Sequence, residues 1–291
     1  MHPHVSAKRL SKSYGKNRVL NAIDAEVDPG EIIGVLGKNG AGKTTLLELI
    51  LGFTAPTDGL VQVFGHESFR MPNDAKERIG FVPQQEELIG QLSARDQVAL
   101  IASFYRHWDP VLVMQLSERW EVNLGERVKS MSVGQRQKLS IMLALGHRPE
   151  LLVLDEPVAS LDPIARRQFL EQIIEVASEG HRSVVFSSHI VSDVERLANQ
   201  IWILKEGTLI WSGDLDSLKE SIVRVRLYSE APIPADPGLT GTLSVEHSGK
   251  HVVAVVSHWN ESQRARLSAL AYETVAVEPL SLEEIFLALH G

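Results

Sequence analysis

The sequence predicts an α/β fold with a mainly parallel core sheet. Short apolar runs alternate with stretches of helical spacing, as βαβ units require. Gly30-Glu31-Ile32-Ile33-Gly34-Val35-Leu36-Gly37 reads as a buried strand entering a glycine turn, and Thr44 to Leu51 behind it has the composition of a helix. Leu151–Leu154 and Ser183–Ser187 read as two further buried strands, each ending in polar residues. Apolar runs of that kind suit parallel strands covered by helices on both faces.

The remaining elements follow in chain order. From Gln91 to Arg127 no comparable strand appears, and the stretch reads as helices. Ser93-Ala94-Arg95-Asp96 opens one of them with a capping pattern in which Asp replaces the usual Glu. Between the two later strands, Ile164–Ala177 has helical spacing, with Ile164, Phe169, Ile173 and Val176 expected on one face. The composition changes after about Leu218. Ala231-Pro232-Ile233-Pro234-Ala235-Asp236-Pro237-Gly238 is a proline-rich loop. Around it, Val223–Leu227 and Val252–Val256 read as strands, followed by a helix near Glu261–Leu270 and a strand near Thr274–Val277. The box Ser281-Leu282-Glu283-Glu284 opens a last helix. The expected organisation is one domain over 1–218, with a helical subdomain near 86–130, and a small α+β appendage over 219–291.

Composition narrows the function classes. The 291 residues are 44% hydrophobic and 23% charged, with no cysteine, which excludes disulfides, thiolate zinc sites and a cysteine nucleophile. The net charge of −8 gives no expectation of a broad basic face, so nucleic acid is not an expected partner. No apolar stretch approaches the roughly 18 residues that span a bilayer. The start, Met1-His2-Pro3-His4-Val5-Ser6, lacks the apolar core of a signal peptide, and the expectation is a cytoplasmic chain. His2 and His4 fall in a stretch expected to fray and are not read as metal ligands.

Two motifs carry chemistry. Gly37-Lys38-Asn39-Gly40-Ala41-Gly42-Lys43-Thr44, followed by Thr45, matches the phosphate-binding loop G-x-x-x-x-G-K-[ST] between a strand and a helix. Glycines there let consecutive N–H groups cradle phosphate oxygens, and the helix N-terminus adds partial positive charge. Lys43 would reach the β- and γ-phosphates, and the Thr44 hydroxyl would ligate Mg²⁺. Leu151-Leu152-Val153-Leu154-Asp155-Glu156 is an apolar strand ending in two carboxylates. Strand ends of this kind are where ligands gather in an open α/β sheet. Asp155 would hold Mg²⁺ through water, and Glu156 would polarise an attacking water.

With these residues in view the chain resembles the ATP-binding subunits of ABC transporters. Met131-Ser132-Val133-Gly134-Gln135 stands where that family has its Leu-Ser-Gly-Gly-Gln signature. Ala159-Ser160-Leu161-Asp162-Pro163 resembles the loop after the Glu, and His189 the switch histidine. Gln84, in Phe81-Val82-Pro83-Gln84, resembles the glutamine loop, and Tyr14, in Lys12-Ser13-Tyr14-Gly15, the aromatic that stacks on adenine. Taken alone, Tyr14 reads as a core aromatic and His189 as a surface histidine; the motifs gain their specificity by occurring together, in the family's order, over about residues 5–215. Glu278-Pro279-Leu280-Ser281-Leu282-Glu283-Glu284-Ile285-Phe286 resembles, over a few residues, the tail of exporter-type subunits. Val133 departs from the signature, where glycine is usual; a branched side chain there would crowd a close phosphate.

The resemblance implies a phosphate-loop ATPase using ATP and Mg²⁺. Two subunits, identical or related, would bury two ATP molecules head to tail. Ser132, Gly134 and Gln135 of one chain, with Asp162, would complete the phosphate loop of the other. Within a site the resemblance assigns catalysis to Glu156, His189, Lys43 and Gln84, and metal binding to Thr44, Gln84 and Asp155. It implies separate integral-membrane subunits gripped through the segment from about Glu86 to Lys129, a place on the inner face of the membrane, and a role in energising export. Glu86-Glu87 read as solvated surface or as a face for a partner's basic loop. The appendage would pack on the catalytic domain, contribute dimer contacts or regulate. A chromosome-type ATPase would insert a coiled coil between Lys43 and Met131, where no sustained heptads occur. A nucleotide-regulated interaction module with weak turnover stays open, because Val133 bears on the composite site.

Overall fold

The computed structural model describes the chain except residues 1, 86, 159–160, 162, 179–181, 236 and 269–271. Two compact units result, Met1–Ser212 and Gly213–Gly291.

The first unit opens with β1 (Val5–Tyr14) and β2 (Asn17–Val27), then β3 (Ile32–Gly37), α1 (Lys43–Ile50), β4 (Asp58–Val63), β5 (His66–Glu67), α2 (Asn73–Lys76) and β6 (Ile79–Val82). Three helices follow, α3 (Ala94–Ala102), α4 (Pro110–Arg119) and α5 (Val133–Leu145). The chain returns through β7 (Leu151–Leu154), α6 (Pro163–Ser178), β8 (Ser183–Ser188), α7 (Val191–Leu197), β9 (Gln200–Lys205) and β10 (Thr208–Asp214).

The core sheet has the order β10-β9-β3-β8-β7-β6, and β9, β3, β8, β7 and β6 run parallel. Because they are parallel, the carboxyl ends of β3, β7 and β8 lie on one edge. That edge receives the phosphate loop, Asp155-Glu156 and His189.

A second sheet, β2-β1-β4-β5, is antiparallel and was not expected. Irregular register between β1 and β2, with Arg9 and Ala22 at positive φ, breaks the period-2 alternation that marks a strand in sequence. Leu10 and Ile23 of this sheet join Leu46, Leu49 and Ile50 of α1 and Val35 of β3 in one buried core. His4 does not fray. It is buried, its Nδ1 lies 2.9 Å from Ser183 Oγ, and its ring meets Phe64 edge-on.

The capping expectation at Ser93 holds in half. Ser93 Oγ accepts from Asp96 N–H, but the shorter Asp side chain takes the Ser93 hydroxyl, not the Ser93 N–H that a Glu would reach. In α6, Phe169 and Ile173 are buried while Ile164 is 73% exposed. Ile164 and Ile173 are nine residues apart, which at 100° per residue puts them on opposite faces. The side chain of Val176 lies outside the described set.

The second unit contains α8 (Leu215–Ser221), β11 (Val223–Tyr228), β12 (Thr242–Ser248), β13 (His251–Val256), α9 (Glu261–Ser268), β14 (Thr274–Pro279) and α10 (Leu282–His290). It begins before Leu218 because the end of α8 is tied into it, Ser221 O accepting from Trp259 N–H. Its sheet, β12-β13-β11-β14, is antiparallel throughout, and β12 was not expected. Val225, Leu227, Val252, Ala254, Val256 and Leu267 make its core. The box at Ser281 forms fully: Ser281 Oγ accepts from Glu284 N–H and Glu284 Oε2 from Ser281 N–H. Glu284 also takes a bond from Arg224, and these bonds hold its carboxyl down at about 2.

Candidate active site

The phosphate loop leaves β3 and turns into α1 over Gly40 (φ 81°) and Gly42 (φ 105°). L side chains rarely adopt such backbone. At Gly42 a Cβ would also meet Leu20 Cδ2 at 2.6 Å, so no other residue fits without displacing the core. Gly42 caps α1 with no side chain of its own, which leaves the first turn of the helix for a ligand. Lys38, Asn39, Gly40 and Thr44 are exposed along this turn, whereas Gly37, Ala41, Gly42 and Lys43 are buried and Thr45 partly so.

Three of the expected residues meet at one carboxylate. Lys43 Nζ donates to Gly37 O (2.9 Å) and lies 3.1 Å from Glu156 Oε1. His189 Nδ1 lies 2.7 Å from Glu156 Oε2, and the His189 N–H reaches the same oxygen at 3.3 Å. A carboxylate oxygen accepts, so Nδ1 carries the hydrogen in this pair. The Glu156 carboxylate is therefore held between a cation and an imidazole, with Lys43 and Glu156 buried and His189 partly exposed.

Glu156 itself has φ 46°, a left-handed backbone that costs a non-glycine residue about 1–3 kcal/mol. Ser187 holds it there. Its Oγ accepts from Glu156 N–H at 2.7 Å and donates to Asp155 Oδ1 at 2.6 Å, tying both carboxylate residues to β8. Sequence reasoning did not assign Ser187; its signal was the polar end of an otherwise apolar strand, Ser187-Ser188-His189.

The other expected residues stand apart. Gln84 is exposed just after β6. Tyr14 is 48% exposed at the end of β1, not a core aromatic, with Lys12 Nζ 4.9 Å from its ring centroid. Ser132 caps α5, and its polar contacts stay within that turn: Ser132 Oγ accepts from Gln135 N–H and Gln135 Oε1 from Ser132 N–H. Val133 is the first residue of α5, outside the positive-φ set, and its side chain is exposed beside Gly134. Asp162, Ala159 and Ser160 lie outside the described residues, as does Glu86.

Among the described residues no cluster of three His, Asp or Glu side chains is placed to hold a metal. The oxygens of Thr44, Asp155 and Gln84 fit a hard cation bound chiefly through phosphate and water, as Mg²⁺ is.

A second feature adjoins Gln84. A groove of about 510 Å³ runs between β6, α3 and α5, lined by Phe53, Phe81, Glu87, Ile101, Tyr105 and Leu143 among others. Phe53 is 63% exposed at its mouth and meets Phe81 edge-on, 5.4 Å between centroids. Glu87, Gln97 and Ile101 of this groove fall within the segment from about Glu86 to Lys129, whereas Phe53 and Phe81 come from outside it.

A glycine loop feeding a helix, an acidic pair beside it and a mainly parallel sheet define a phosphate-loop nucleoside triphosphatase. Residues 20–159 match the family described as ABC transporter. The Nod factor export ATP-binding protein I of Rhizobium etli is 32% identical over 292 residues, 97% of this chain and 92% of that protein. The bacitracin transport ATP-binding protein BcrA of Bacillus licheniformis is 31% identical, with 97% and 95% covered. A solved ATP-binding subunit of an ABC transporter superposes with a TM-score of 0.66 at 28% identity, over 74% of this chain and 92% of that one. The chain belongs to the ATP-binding subunits of ABC transporters and is an ATPase. No described helix is long and apolar enough to cross a membrane.

Proposed function

We propose that this chain hydrolyses ATP to drive export through separate integral-membrane subunits. The observation that carries the reading is the Glu156 carboxylate held between Lys43 and His189 at the open end of α1. Phosphate oxygens bring a stronger charge partner to Lys43 than a single carboxylate. ATP binding would draw Lys43 off and leave Glu156 to accept a proton from water as its oxygen attacks the γ-phosphorus and the bond to the bridging oxygen breaks. With Nδ1 bonded to Glu156, His189 has Nε2 as its remaining polar atom, suited to the γ-phosphate region. Tyr14 would stack on adenine, and Gly37 to Thr45 would cradle the phosphates. Thr44, Gln84 and Asp155 would hold Mg²⁺, which when bound offsets phosphate charge.

The site is half a site. Ser132, Gly134 and Gln135 open α5, with Ser132 exposed and the other two partly so, and a second copy of the chain would bring them to the nucleotide held by the first, together with Asp162. Val133 begins its helix without backbone strain, which supports a competent signature and a homodimer; a related chain as partner is the other reading. The groove beside Gln84 suits an apolar segment of the membrane subunit, which would keep the chain at the inner face of the membrane. Export is supported by the names of the Nod factor and bacitracin relatives.

The test is recovery of partners from native membranes by the Glu156→Gln chain with ATP and Mg²⁺. A multi-span hydrophobic subunit is expected, and a second ATP-binding chain in the same fraction would indicate a heterodimer. Recovery of soluble proteins alone, with the chain absent from membranes, would overturn the export reading in favour of a soluble ATPase.

A further inference from the structure

His189 is carried by a loop between β8 and α7, so whatever seats α7 seats the histidine. One face of α7 lies on β3: Val194 is fully buried, and a Cβ added at Gly34 would come within 2.4 Å of Val194 Cγ1. The same helix is fastened to α6 by Asp193. Arg166 Nε donates to Asp193 Oδ1 at 2.7 Å, Arg166 Nη2 bonds the same oxygen, and Nη2 also reaches Ser192 Oγ at 3.3 Å. The Asp193 side chain is 3% exposed and that of Arg166 24%. Asp193 Oδ2 is buried with no partner among the described residues.

A buried ion pair with one oxygen unsatisfied is a poor source of stability, since an apolar pair of similar volume is often as good or better. What this pair supplies is geometry. Burial pushes the Asp193 carboxyl above the usual carboxylate range, and the bond from Arg166 offsets part of that rise. Arg196 and Glu171 link the same two helices at the surface, 3.3 Å apart, in a contact open to solvent.

We propose that Arg166 and Asp193 are positioning residues for ATP hydrolysis, a buried latch that fixes α7 and so holds His189 against Glu156. The inference rests on the ATPase reading of the Lys43–Glu156–His189 site. Misplacing a catalytic group by about 1 Å costs on the order of 100-fold in rate. Loosening α7 should therefore lower kcat without weakening ATP binding through the phosphate loop.

Arg166→Met alone strands the Asp193 charge and is expected to lower the melting temperature. The double variant Arg166→Met/Asp193→Leu removes both charges and is the informative one. Its melting temperature is expected to return to that of the parent, its KM for ATP to stay within about twofold, and its kcat to remain roughly 10- to 100-fold down. Arg196→Ala, which breaks only the surface link, is expected to leave kcat unchanged. A folded double variant with parental kcat, or one whose KM rises as kcat falls, would overturn the latch. Glu156→Gln is run alongside: full turnover in that variant would sink the ATPase site itself, separately from the latch.

Discussion

The phosphate loop and its acidic pair are wired into the core, whereas the Ser132–Gln135 turn caps α5 at the surface, with Ser132 and Gln135 bonded to one another. Lys43 and His189 each bond Glu156, and Ser187 ties Asp155 and Glu156 to the sheet. The signature turn bonds within its own helix: Ser132 and Gln135 form a capping box, and Arg136 reaches back to Met131 O. Binding and proton transfer need fixed charges and can be built inside one chain. A contact made only when two chains meet has to remain open until they do. The difference is what the proposed two-chain site requires: charges fixed within one chain and a signature turn left for its partner.

The comparison breaks most sharply at Glu156. Glu156→Gln keeps the shape and removes the base, and turnover should fall by about 10²- to 10⁴-fold with ATP still bound. Steady-state phosphate release and nucleotide titration read the two quantities, and undiminished hydrolysis would remove Glu156 from the mechanism. Lys43→Ala comes next. Losing a charged partner for phosphate should weaken ATP binding by roughly 10- to 100-fold, measured by equilibrium titration.

Gentler effects are expected at the two ends of α5. His147, just past the far end of α5, donates from Nε2 to Ile79 O, stacks on Tyr105 and is held neutral by burial down to about 4. The unfolded chain takes up that proton near the ordinary value of 6.5, so this group costs stability as the pH falls from about 6.5 to 4. His147→Phe keeps the stack and should show a shallower loss of unfolding free energy over that range. Coincident slopes would mean that His147 is charged in the folded chain. The smallest effect belongs to Val133→Gly. With no positive φ to relieve, the variant should hydrolyse ATP as fast as the parent or somewhat faster, at a helix cost of under about 1 kcal/mol. A large fall would make Val133 an adapted feature of the signature.

Legibility in the sequence followed locality. The phosphate loop and Asp155-Glu156 are short and contiguous, so residue type and spacing were enough to find them. Ser187 and the Arg166–Asp193 pair escaped notice because each joins groups about 30 residues apart that only a parallel sheet and its crossover helices bring together. The β1–β2 sheet was hidden by its bulges; helix α6 was legible, but Ile164 matches the apolar type of Ile173 and not its face. The groove was half legible: α3 was foreseen, but Phe53 and Phe81 join it from distant stretches of chain, after α1 and in β6.

The most direct measurement mixes two inactive chains, Lys43→Ala, which keeps its signature, and Ser132→Arg, which keeps its phosphate loop. Each alone should hydrolyse ATP barely above background. If the site is completed by a second copy, the mixture contains dimers with one intact composite site and should hydrolyse ATP well above the sum of the two. A mixture no more active than that sum would contradict a site shared between two copies of this chain.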